Sequence, residues 1–350
     1  IEALQIDGNN VLEVYKTVAK WAKRIRKEPR PLLIECRTFR MRGHEEASGT
    51  KYVPKELMDH WAKKDPLTNF ESFLQHEGIL HNKTIDQYKA EIKIEIEAAL
   101  AKTAAIALPA RTEQEELDDL FVPYQSESHP PQQQSTDRRF IDAIKDGLDL
   151  AMERHDDLIL MGQDIADYGG VFKITDGFMD KYGRARVRNT PICESAILGA
   201  GLGLSIKGMK SMVEMQFSDF VTCGFNQIVN NLAKSHYRWG QSADVVVRMP
   251  CGGQVGAGPF HSQTNEAWFS HTPGLKIAYP SNPEDAKGLL LEAFEDPNPI
   301  LFFEHKALYR SISAATPDGF YTIPFGEARV VSAGNDLSII TYGLGVHLSL

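Results

Sequence analysis

Glu194 is a lone charged residue in an apolar stretch of small side chains. It lies in the run Asn189-Thr190-Pro191-Ile192-Cys193-Glu194-Ser195-Ala196-Ile197-Leu198, and no other charged residue occurs between Arg188 and Lys207. A carboxylate in such surroundings is costly to ionise, so the sequence predicts a group that holds or hands over a proton near neutral pH. Enzymes use such groups for general acid–base catalysis. The alternative is an acidic residue that only stabilises a helix N-terminus.

Two histidine-bearing segments follow predicted strands. Arg40-Met41-Arg42-Gly43-His44 comes after the apolar run 32–36, and a glycine-rich segment from Gly252 to His261 comes after the predicted strand 245–249. Ligands of open α/β sheets bind at the carboxyl ends of strands. Glycine lets the backbone approach a ligand, and a loop histidine can change its charge near neutral pH. Both segments are therefore predicted to face a ligand; the alternative is an ordinary solvated loop.

Helical and strand patterns alternate along the chain. The spacing of apolar residues predicts helices over 11–28, 84–106, 139–154, 193–207, 219–236 and 283–295. Short apolar runs predict strands at 32–36, 158–161, 212–215, 245–247, 275–279 and 300–303, with two more at 328–331 and 337–341. Such alternation predicts an α/β fold with mainly parallel sheets and helices on both faces.

A change of composition predicts the domain boundaries. The segment from 110 to 138 is rich in Glu, Asp, Ser, Pro and Gln, which cannot bury a core, so a flexible linker is expected there. The predicted domains are then 1–109, 139–318 and 319–350. The last is too short for a complete domain and is expected to be the start of a truncated one, and the N-terminus, without a start methionine, suggests an internal piece of a longer protein.

Composition excludes several classes of protein. The net charge of −9 argues against a general nucleic-acid binder, and no apolar stretch approaches the roughly 20 residues that span a bilayer. Four widely spaced cysteines argue against a zinc site or a disulfide framework, so a cytoplasmic location is expected. Gly199, Gly201 and Gly203 have the wrong spacing for a dinucleotide-binding loop; they predict a helix that approaches its neighbour closely.

Motifs in fixed order resemble those of the thiamine-diphosphate-dependent 2-oxo acid dehydrogenases, the decarboxylating first components of lipoyl complexes, and of their branched-chain 2-oxoisovalerate type in particular. Residues 3–122 resemble the C-terminal part of the α subunit and residues 136–350 most of the β subunit. The motifs that carry the resemblance are 7–12, 31–35 and 39–44 in the first region and 189–194, 216–220, 261–269, 285–290 and 302–310 in the second.

The resemblance implies a thiamine-diphosphate-binding, transketolase-like fold. It makes 1–109 part of an α-like diphosphate-binding domain, 110–138 the linker of a fused α/β chain, 139–318 a β-like pyrimidine-binding domain and 319–350 the start of a transketolase C-terminal-like domain. Glu194 would hydrogen-bond the cofactor's pyrimidine ring, and His261 and His44 would be the two active-site histidines. Four more residues would bind the cofactor or line its site: Ile192, Gln216, Phe220 and Arg40.

The resemblance also implies metals and partners. Asp296 and Asn298 match a potassium site. The Gly-Asp-Gly motif through which the family binds the diphosphate and Mg²⁺ is absent from the 350 residues, so the Mg²⁺ ligands are expected upstream of Ile1 and the fragment alone is expected to be inactive. The expected partners are a 2-oxo acid substrate, the lipoyl-bearing acyltransferase and further copies of the protein in a homo-oligomer.

Three other functions remain open at this point. Pyruvate and acetoin dehydrogenases share the implied catalytic groups, so the substrate within the family is undecided. Transketolase-like carbon transfer uses a similar Glu-bearing pyrimidine domain, although the two histidines argue against it. A non-catalytic interaction fragment is the third alternative, and the absent Gly-Asp-Gly motif is its main support.

Overall fold

The computed structural model describes residues 1–108 and 110–350 and divides into two units, Ile1–Pro109 and Ala110–Leu350. In the first unit, strand β1 (Glu2–Asp7) pairs in parallel with β2 (Leu32–Arg37). Helix α1 (Val11–Lys27) connects them, and the side chain of Asn10 caps it by accepting a hydrogen bond from the Glu13 N–H. The remaining helices of the unit are α2 (Lys55–Ala62), α3 (Pro66–His76), α4 (Asn82–Ala104) and a 3₁₀ helix, Glu46–Ser48.

A six-stranded parallel sheet forms the centre of the second unit. Its strand order is β5-β4-β6-β7-β9-β8, and every neighbouring pair is parallel. The predicted parallel sheet is thus confirmed. The strands are β4 (Ile159–Gly162), β5 (Val187–Asn189), β6 (Ser211–Glu214), β7 (Val245–Cys251), β8 (Lys276–Ala278) and β9 (Ile300–His305).

Each face of this sheet carries its own hydrophobic core. On one face α6 (Phe140–Arg154) and α11 (Pro283–Glu295) cover residues such as Leu160, Val246 and Phe302. On the other face α8 (Glu194–Ile206) covers Val213 and Val247. Because both faces are buried, the central strands are continuous apolar runs, as parallel strands commonly are. The other helices of the unit are α5 (Glu113–Asp118), α7 (Phe178–Tyr182), α9 (Ser235–Trp239), α10 (Ala267–Ser270), α12 (Leu308–Ser311) and α13 (Leu344–Ser349).

Close approach of α8 to the sheet depends on one glycine. A Cβ on Gly201 would lie only 3.1–3.2 Å from side-chain atoms of Ser211, Val213 and Val245. Gly199 and Gly203 have no such contact, since the nearest atom to a Cβ on Gly199 is 3.9 Å away and Gly203 has none within 4 Å. The close approach predicted for the glycine run is confirmed at Gly201 alone.

The helix predicted over 219–236 is not a single α-helix. It consists of a 3₁₀ helix (Ser218–Gly224), a π-helix (Gln227–Leu232) and α9. The first break lies where the chain passes over α8, because a Cβ on Gly224 would come within 2.3 Å of the Leu198 side chain. Segments of π-helix are frequent at functional sites.

The segment 110–138 differs from the flexible linker that was predicted. The Asn298 side chain accepts from the Val122 N–H at 2.8 Å and donates to the Val122 carbonyl at 3.1 Å. The Tyr124 hydroxyl donates to Glu292 at 3.2 Å. The segment ends in β3 (Ser135–Arg139), which pairs antiparallel with β10 (Ser313–Pro317). Composition missed these contacts because their partners lie about 170 positions away in the chain.

The strands predicted at 328–331 and 337–341 do not form. Within the described residues no strand pairs with either segment. Val330 is 80% exposed and Ile340 is 97% exposed. An isolated strand leaves its backbone hydrogen-bonding groups unpaired, so the apolar pattern alone does not produce one.

Candidate active site

Polar residues follow directly after the central strands of the second unit. We call this the carboxyl edge of the sheet, where β4, β6, β7 and β9 end, and the opposite side the amino edge. Gln163 follows β4, Gln216 lies two residues after β6, and the glycine-rich loop begins immediately after β7. Because all strands run in parallel, these residues come together at one edge, where open α/β sheets bind ligands.

Glu194 is the first residue of α8 and is 7% exposed. The amide of Gln163 donates to its Oε1 at 3.0 Å, and Oε2 has no hydrogen-bond partner among the described residues. The residue borders a cleft of about 460 Å³, a size typical of small-molecule sites. Its other lining residues come from α8 and from the 3₁₀ and π segments that cross it: Cys193, Ser195, Ala196, Gly199, Cys223 and Gln227.

The turn after β4 holds Gln163 against Glu194. The amide of Gln216 donates to the Gln163 carbonyl and to Asp164 Oδ2, both at 3.4 Å. Asp164 has a φ of 58°, a left-handed conformation that is uncommon outside glycine and is often found at functional sites. Gln216 therefore positions Gln163, and Gln163 in turn orients the Glu194 carboxyl group.

His261 is half-buried within an aromatic group. Its ring lies edge-to-face with Phe217 at a centroid distance of 4.7 Å and with Phe220 at 5.4 Å. Phe217 and Phe220 also contact each other at 5.7 Å. Phe217 directly follows Gln216, so the aromatic group and the Gln163–Gln216 turn extend from the same strand end.

Asp219 fixes the base of the His261 loop. Its Oδ1 accepts from the N–H groups of Ser262 at 3.1 Å and Gln263 at 3.2 Å. The Asn265 side chain donates to the Ser218 carbonyl at 2.8 Å. Several buried polar atoms here have no hydrogen-bond partner in the described structure: Asp219 Oδ2, Asn265 Oδ1, Glu266 Oε2 and Lys306 Nζ.

A buried charge cluster joins three strands beneath these loops. Arg248 on β7 pairs with Glu214 on β6 and with Glu304 on β9, and all three are almost fully buried. The Tyr309 hydroxyl donates to Glu304 Oε2 at 2.6 Å. Burial raises the pKa of Glu214, although the Arg248 guanidinium acts in the opposite direction. The cluster fixes the spacing of the strand ends from which the site residues project.

Three other residues singled out from sequence lie elsewhere. Ile192 is 82% exposed, just before α8. His44 and Arg40 belong to the first unit, in the segment after β2, and both are exposed. The Nδ1 of His44 is hydrogen-bonded to the Ser48 hydroxyl at 2.8 Å. Their roles in a site stay predictions.

Asp296 and Asn298, the expected potassium ligands, have protein partners at the amino edge. Asp296 is fully buried and ion-paired with the ammonium of Lys276, and its Oδ1 accepts from both the backbone and the amide of Asn298. The Asn298 side chain also binds Val122. A potassium ion bound here would have to displace Lys276, and the role of these two residues as metal ligands stays a prediction.

Neither a metal cluster nor a membrane span occurs in the part of the chain that the structure describes. No group of three or more His, Cys, Asp or Glu side chains there is arranged to hold a metal ion. No helix in that part is long and apolar enough to cross a bilayer.

Sequence reasoning gave no role to Gln163, Asp219 or Lys306. A signal existed for each, because Gln163 and Lys306 are the first polar residues after strands β4 and β9, and Asp219 lies in the motif that begins at Gln216. Only the fold reveals that Gln163 reaches Glu194 and that Asp219 holds the His261 loop.

Comparison with known proteins assigns the two regions to related families. Residues 138–311 match the family described as the transketolase pyrimidine binding domain, and residues 1–110 match the dehydrogenase E1 component. The parallel sheet of the second unit accordingly has the transketolase-like pyrimidine-binding fold. A solved structure, a split-gene transketolase (inactive beta4 tetramer), aligns with a TM-score of 0.38 at 18% identity over 47% of this chain and 50% of that one. That value is too low to support any conclusion.

Curated relatives match the second region. The chain is 46% identical to the 2-oxoisovalerate dehydrogenase subunit beta of Bacillus subtilis over 60% of its length and 65% of the relative's. It is 44% identical to the pyruvate dehydrogenase E1 component subunit beta of Mycoplasma genitalium, covering 58% of this chain and 63% of that one.

A third relative is the 2-oxoisovalerate dehydrogenase subunit beta of Pseudomonas aeruginosa, which is 37% identical over 63% of this chain and 68% of its own length. The chain thus spans somewhat less than two thirds of the first two relatives and slightly more of the third. The third relative is covered over two thirds of its length, and the chain also contains a pyrimidine binding domain and an E1 component region. The chain therefore belongs to the thiamine-diphosphate-dependent 2-oxo acid dehydrogenase E1 family.

Proposed function

We propose that the protein of which these residues form part catalyses the oxidative decarboxylation of a 2-oxo acid with thiamine diphosphate and transfers the acyl group to a lipoyl-bearing acyltransferase. The observation that carries this proposal is the Glu194 carboxyl group: it is buried, oriented through one oxygen by Gln163, and borders a cleft at the carboxyl edge.

The residues around Glu194 fit the pyrimidine side of the cofactor. A carboxyl group with one fixed and one available oxygen can hydrogen-bond a ring nitrogen, and Gly199 and Ala196 leave room along the helix. When bound, thiamine diphosphate supplies the electron sink for loss of carbon dioxide. No Gly-Asp-Gly motif occurs in the 350 residues, so no step is assigned here to the diphosphate or to Mg²⁺.

The roles of this chain's own residues follow from their contacts. Glu194 keeps Oε2 free of hydrogen bonds to the described residues beside the cleft, and this is the oxygen that would give a proton to, or take one from, the cofactor's pyrimidine ring. Gln163 keeps the carboxyl group in one orientation, and Phe217 and Phe220 exclude water from one side of His261. His261 is then suited to move protons to and from the reacting groups.

Branched-chain substrates are proposed because the 2-oxoisovalerate enzyme supplies two of the relatives described above. The 44% identity to a pyruvate dehydrogenase subunit makes pyruvate the main competitor. A role in branched-chain amino-acid catabolism, a homo-oligomeric assembly and a cytoplasmic location are parts of the same proposal.

We also propose that the 350 residues alone are inactive, since no Gly-Asp-Gly motif occurs in them.

The test is an activity assay on the intact protein with thiamine diphosphate and Mg²⁺. Decarboxylation would be followed with an artificial electron acceptor, and kcat/KM would be compared for 2-oxoisovalerate and pyruvate. We expect a higher kcat/KM for 2-oxoisovalerate and acylation of an isolated lipoyl domain, detected by its mass. A preference for pyruvate would overturn the substrate assignment, and ketol transfer without 2-oxo acid turnover would overturn the reaction itself.

A further inference from the structure

Lys306 is an enclosed lysine without a partner at the edge of the candidate site. It directly follows β9 and is 3% exposed, and its Nζ has no hydrogen-bond partner in the described structure. Its backbone N–H donates to the Cys251 carbonyl at 2.9 Å, which ties the residue to the end of β7. Burial lowers the pKa of Lys306, whereas Cys251 and Asp219 act in the opposite direction.

Lys306 and His261 both contact the phenyl ring of Phe217. The Lys306 Nζ is 5.3 Å from the ring centroid of Phe217, and the His261 ring is 4.7 Å from the same centroid. These two distances place the ammonium within about 10 Å of the imidazole centre. At that range two charges beside a partly buried loop influence each other's protonation measurably.

Asp219 supplies the opposite charge in the same place. One of its oxygens holds the backbone of Ser262 and Gln263, directly after His261. The other oxygen is buried and has no hydrogen-bond partner among the described residues. The Asp219 carboxylate and the Lys306 ammonium thus attract each other without forming a direct ion pair.

Other buried lysines of this unit are arranged differently. Lys287 is fully buried, and its ammonium lies 2.7 Å from Asp146 Oδ2 and donates to the Pro317 carbonyl at 2.8 Å. A lysine with a purely structural role would be expected to be paired in this way, because an unpaired buried charge is costly. The absence of such a pairing at Lys306 requires another explanation.

We propose that Lys306 and Asp219 are positioning residues for His261: their enclosed, unpaired charges hold the glycine-rich loop at the carboxyl edge and set the charge state of the imidazole. The role assigned to His261 rests on the proposed function, but the electrostatic coupling does not. The Lys306 ammonium disfavours a positive imidazole, and the Asp219 carboxylate favours it. The other titratable groups near this loop, from β7, β9 and the start of α10, are Cys251, His305 and Glu266.

The test measures the protonation of His261 directly. Diethyl pyrocarbonate reacts with neutral imidazole, so its rate of reaction at His261, followed by peptide mass spectrometry between pH 5 and 8, gives the midpoint of protonation. In Lys306→Met the midpoint should rise by about half a unit to one unit, because a nearby positive charge is lost. In Asp219→Asn it should fall, and in Lys306→Arg, which keeps the charge, it should stay near the wild-type value.

Two controls separate coupling from loss of structure. Within each sample, His129, which packs against Phe320, should keep its midpoint. Lys287→Met removes a paired buried lysine, and it should lower stability without moving His261. Should Lys306→Met not fold, the fall expected in Asp219→Asn still tests the proposal, because a general loosening of the loop would not shift the two variants in opposite directions.

Three results would overturn the proposal: an unchanged midpoint in Lys306→Met, a shift of equal size in Lys306→Arg, or shifts of the same sign in Lys306→Met and Asp219→Asn. The measurement requires no catalytic activity. A protein that fails to decarboxylate 2-oxo acids but shows opposite shifts would lose the proposed function and keep this inference. In an active protein, the midpoint of the acidic limb of the pH profile of kcat/KM should rise in Lys306→Met and fall in Asp219→Asn.

Discussion

The sheet of the second unit has a lysine and a buried aspartate at each of its two edges. At the amino edge the partly exposed Lys276 ammonium contacts Asp296 directly, and Asn298 completes the hydrogen bonds of that carboxylate. At the carboxyl edge Lys306 Nζ and Asp219 Oδ2 are both buried, yet neither has a hydrogen-bond partner within the described residues. Similar residues in one sheet therefore have different uses: paired charges hold the chain together, and unpaired charges remain available to a ligand or a neighbouring group.

Other charged residues away from the carboxyl edge are also paired. Asp244, just before β7, is paired with Lys210 at 2.7 Å, and Glu295, at the end of α11, is paired with Arg154 at 2.7 Å and with His155 at 3.0 Å. The carboxyl edge also has a fully paired group, the Arg248 cluster, but that cluster lies between the strands. The unpaired atoms lie in the loops above it.

The largest effect should come from Glu194→Gln in the intact protein. We expect the rate of 2-oxo acid decarboxylation to fall about 100-fold to 10,000-fold, the range typical of a lost general acid–base group. The thermal unfolding midpoint should change little, because glutamine keeps the volume and can still accept from Gln163. Ile206→Gln is the control on the same helix: Ile206 is 53% exposed and does not line the cleft, so this variant should retain activity. A similar loss in both variants would argue against a specific role for Glu194.

At the amino edge Asp296→Ala should lower the stability of the protein and leave its activity unchanged. Its removal leaves Lys276 and the Asn298 N–H without their partner, so the free energy of unfolding should fall by about 3 kcal/mol. Activity per folded molecule should be unchanged. Urea denaturation followed by circular dichroism measures the loss, and Asp296→Asn, which keeps the hydrogen bonds, should lose less. A folded Asp296→Ala protein with reduced turnover would break the distinction between the two edges.

Glu295 gives a prediction for the dependence of stability on pH. Burial raises the pKa of Glu295, but hydrogen bonds and charge attraction from His155 and Arg154 outweigh it and lower the pKa to about 2. A lowered folded-state pKa stabilises the protein above the unfolded value of about 4.3, and this stability is lost as the pH falls towards 2. Glu295→Gln should therefore be less stable than wild type by about 1–2 kcal/mol at pH 7. The difference should shrink between pH 4.5 and 2 in parallel denaturation series; a constant difference would contradict the assignment.

The smallest effect is expected from removing potassium. Because the Lys276 ammonium already neutralises Asp296, replacing K⁺ with choline at constant ionic strength should leave the unfolding midpoint unchanged. Lys276→Met removes that ammonium and should make the midpoint depend on K⁺. A wild-type protein that loses stability without K⁺ would favour the metal site first predicted at Asp296 and Asn298.

The sequence predicted the regular elements well where one local pattern decided them. Five of the six central strands and helices such as Phe140–Arg154 and Pro283–Glu295 lie where they were expected, whereas β5 (Val187–Asn189) was not predicted. Patterns failed where distant residues decided the conformation: the helix expected over 219–236 is broken as it passes Leu198, and the segment around Val122 is held by Asn298. Local composition contains no information about a partner that is far away in the chain.

For the candidate site, the sequence by itself determined the residue types: an isolated carboxylate at 194, a histidine after a run of glycines, and the motifs of a family. Only the tertiary structure decided which of these residues meet and which of their atoms remain unpaired. Gln163 reaches Glu194, Phe217 contacts both Lys306 and His261, and Asp219 holds the loop. The physical reason is that hydrogen bonds and charge interactions act over a few ångströms, and parallel strands bring together residues that lie dozens of positions apart in the chain.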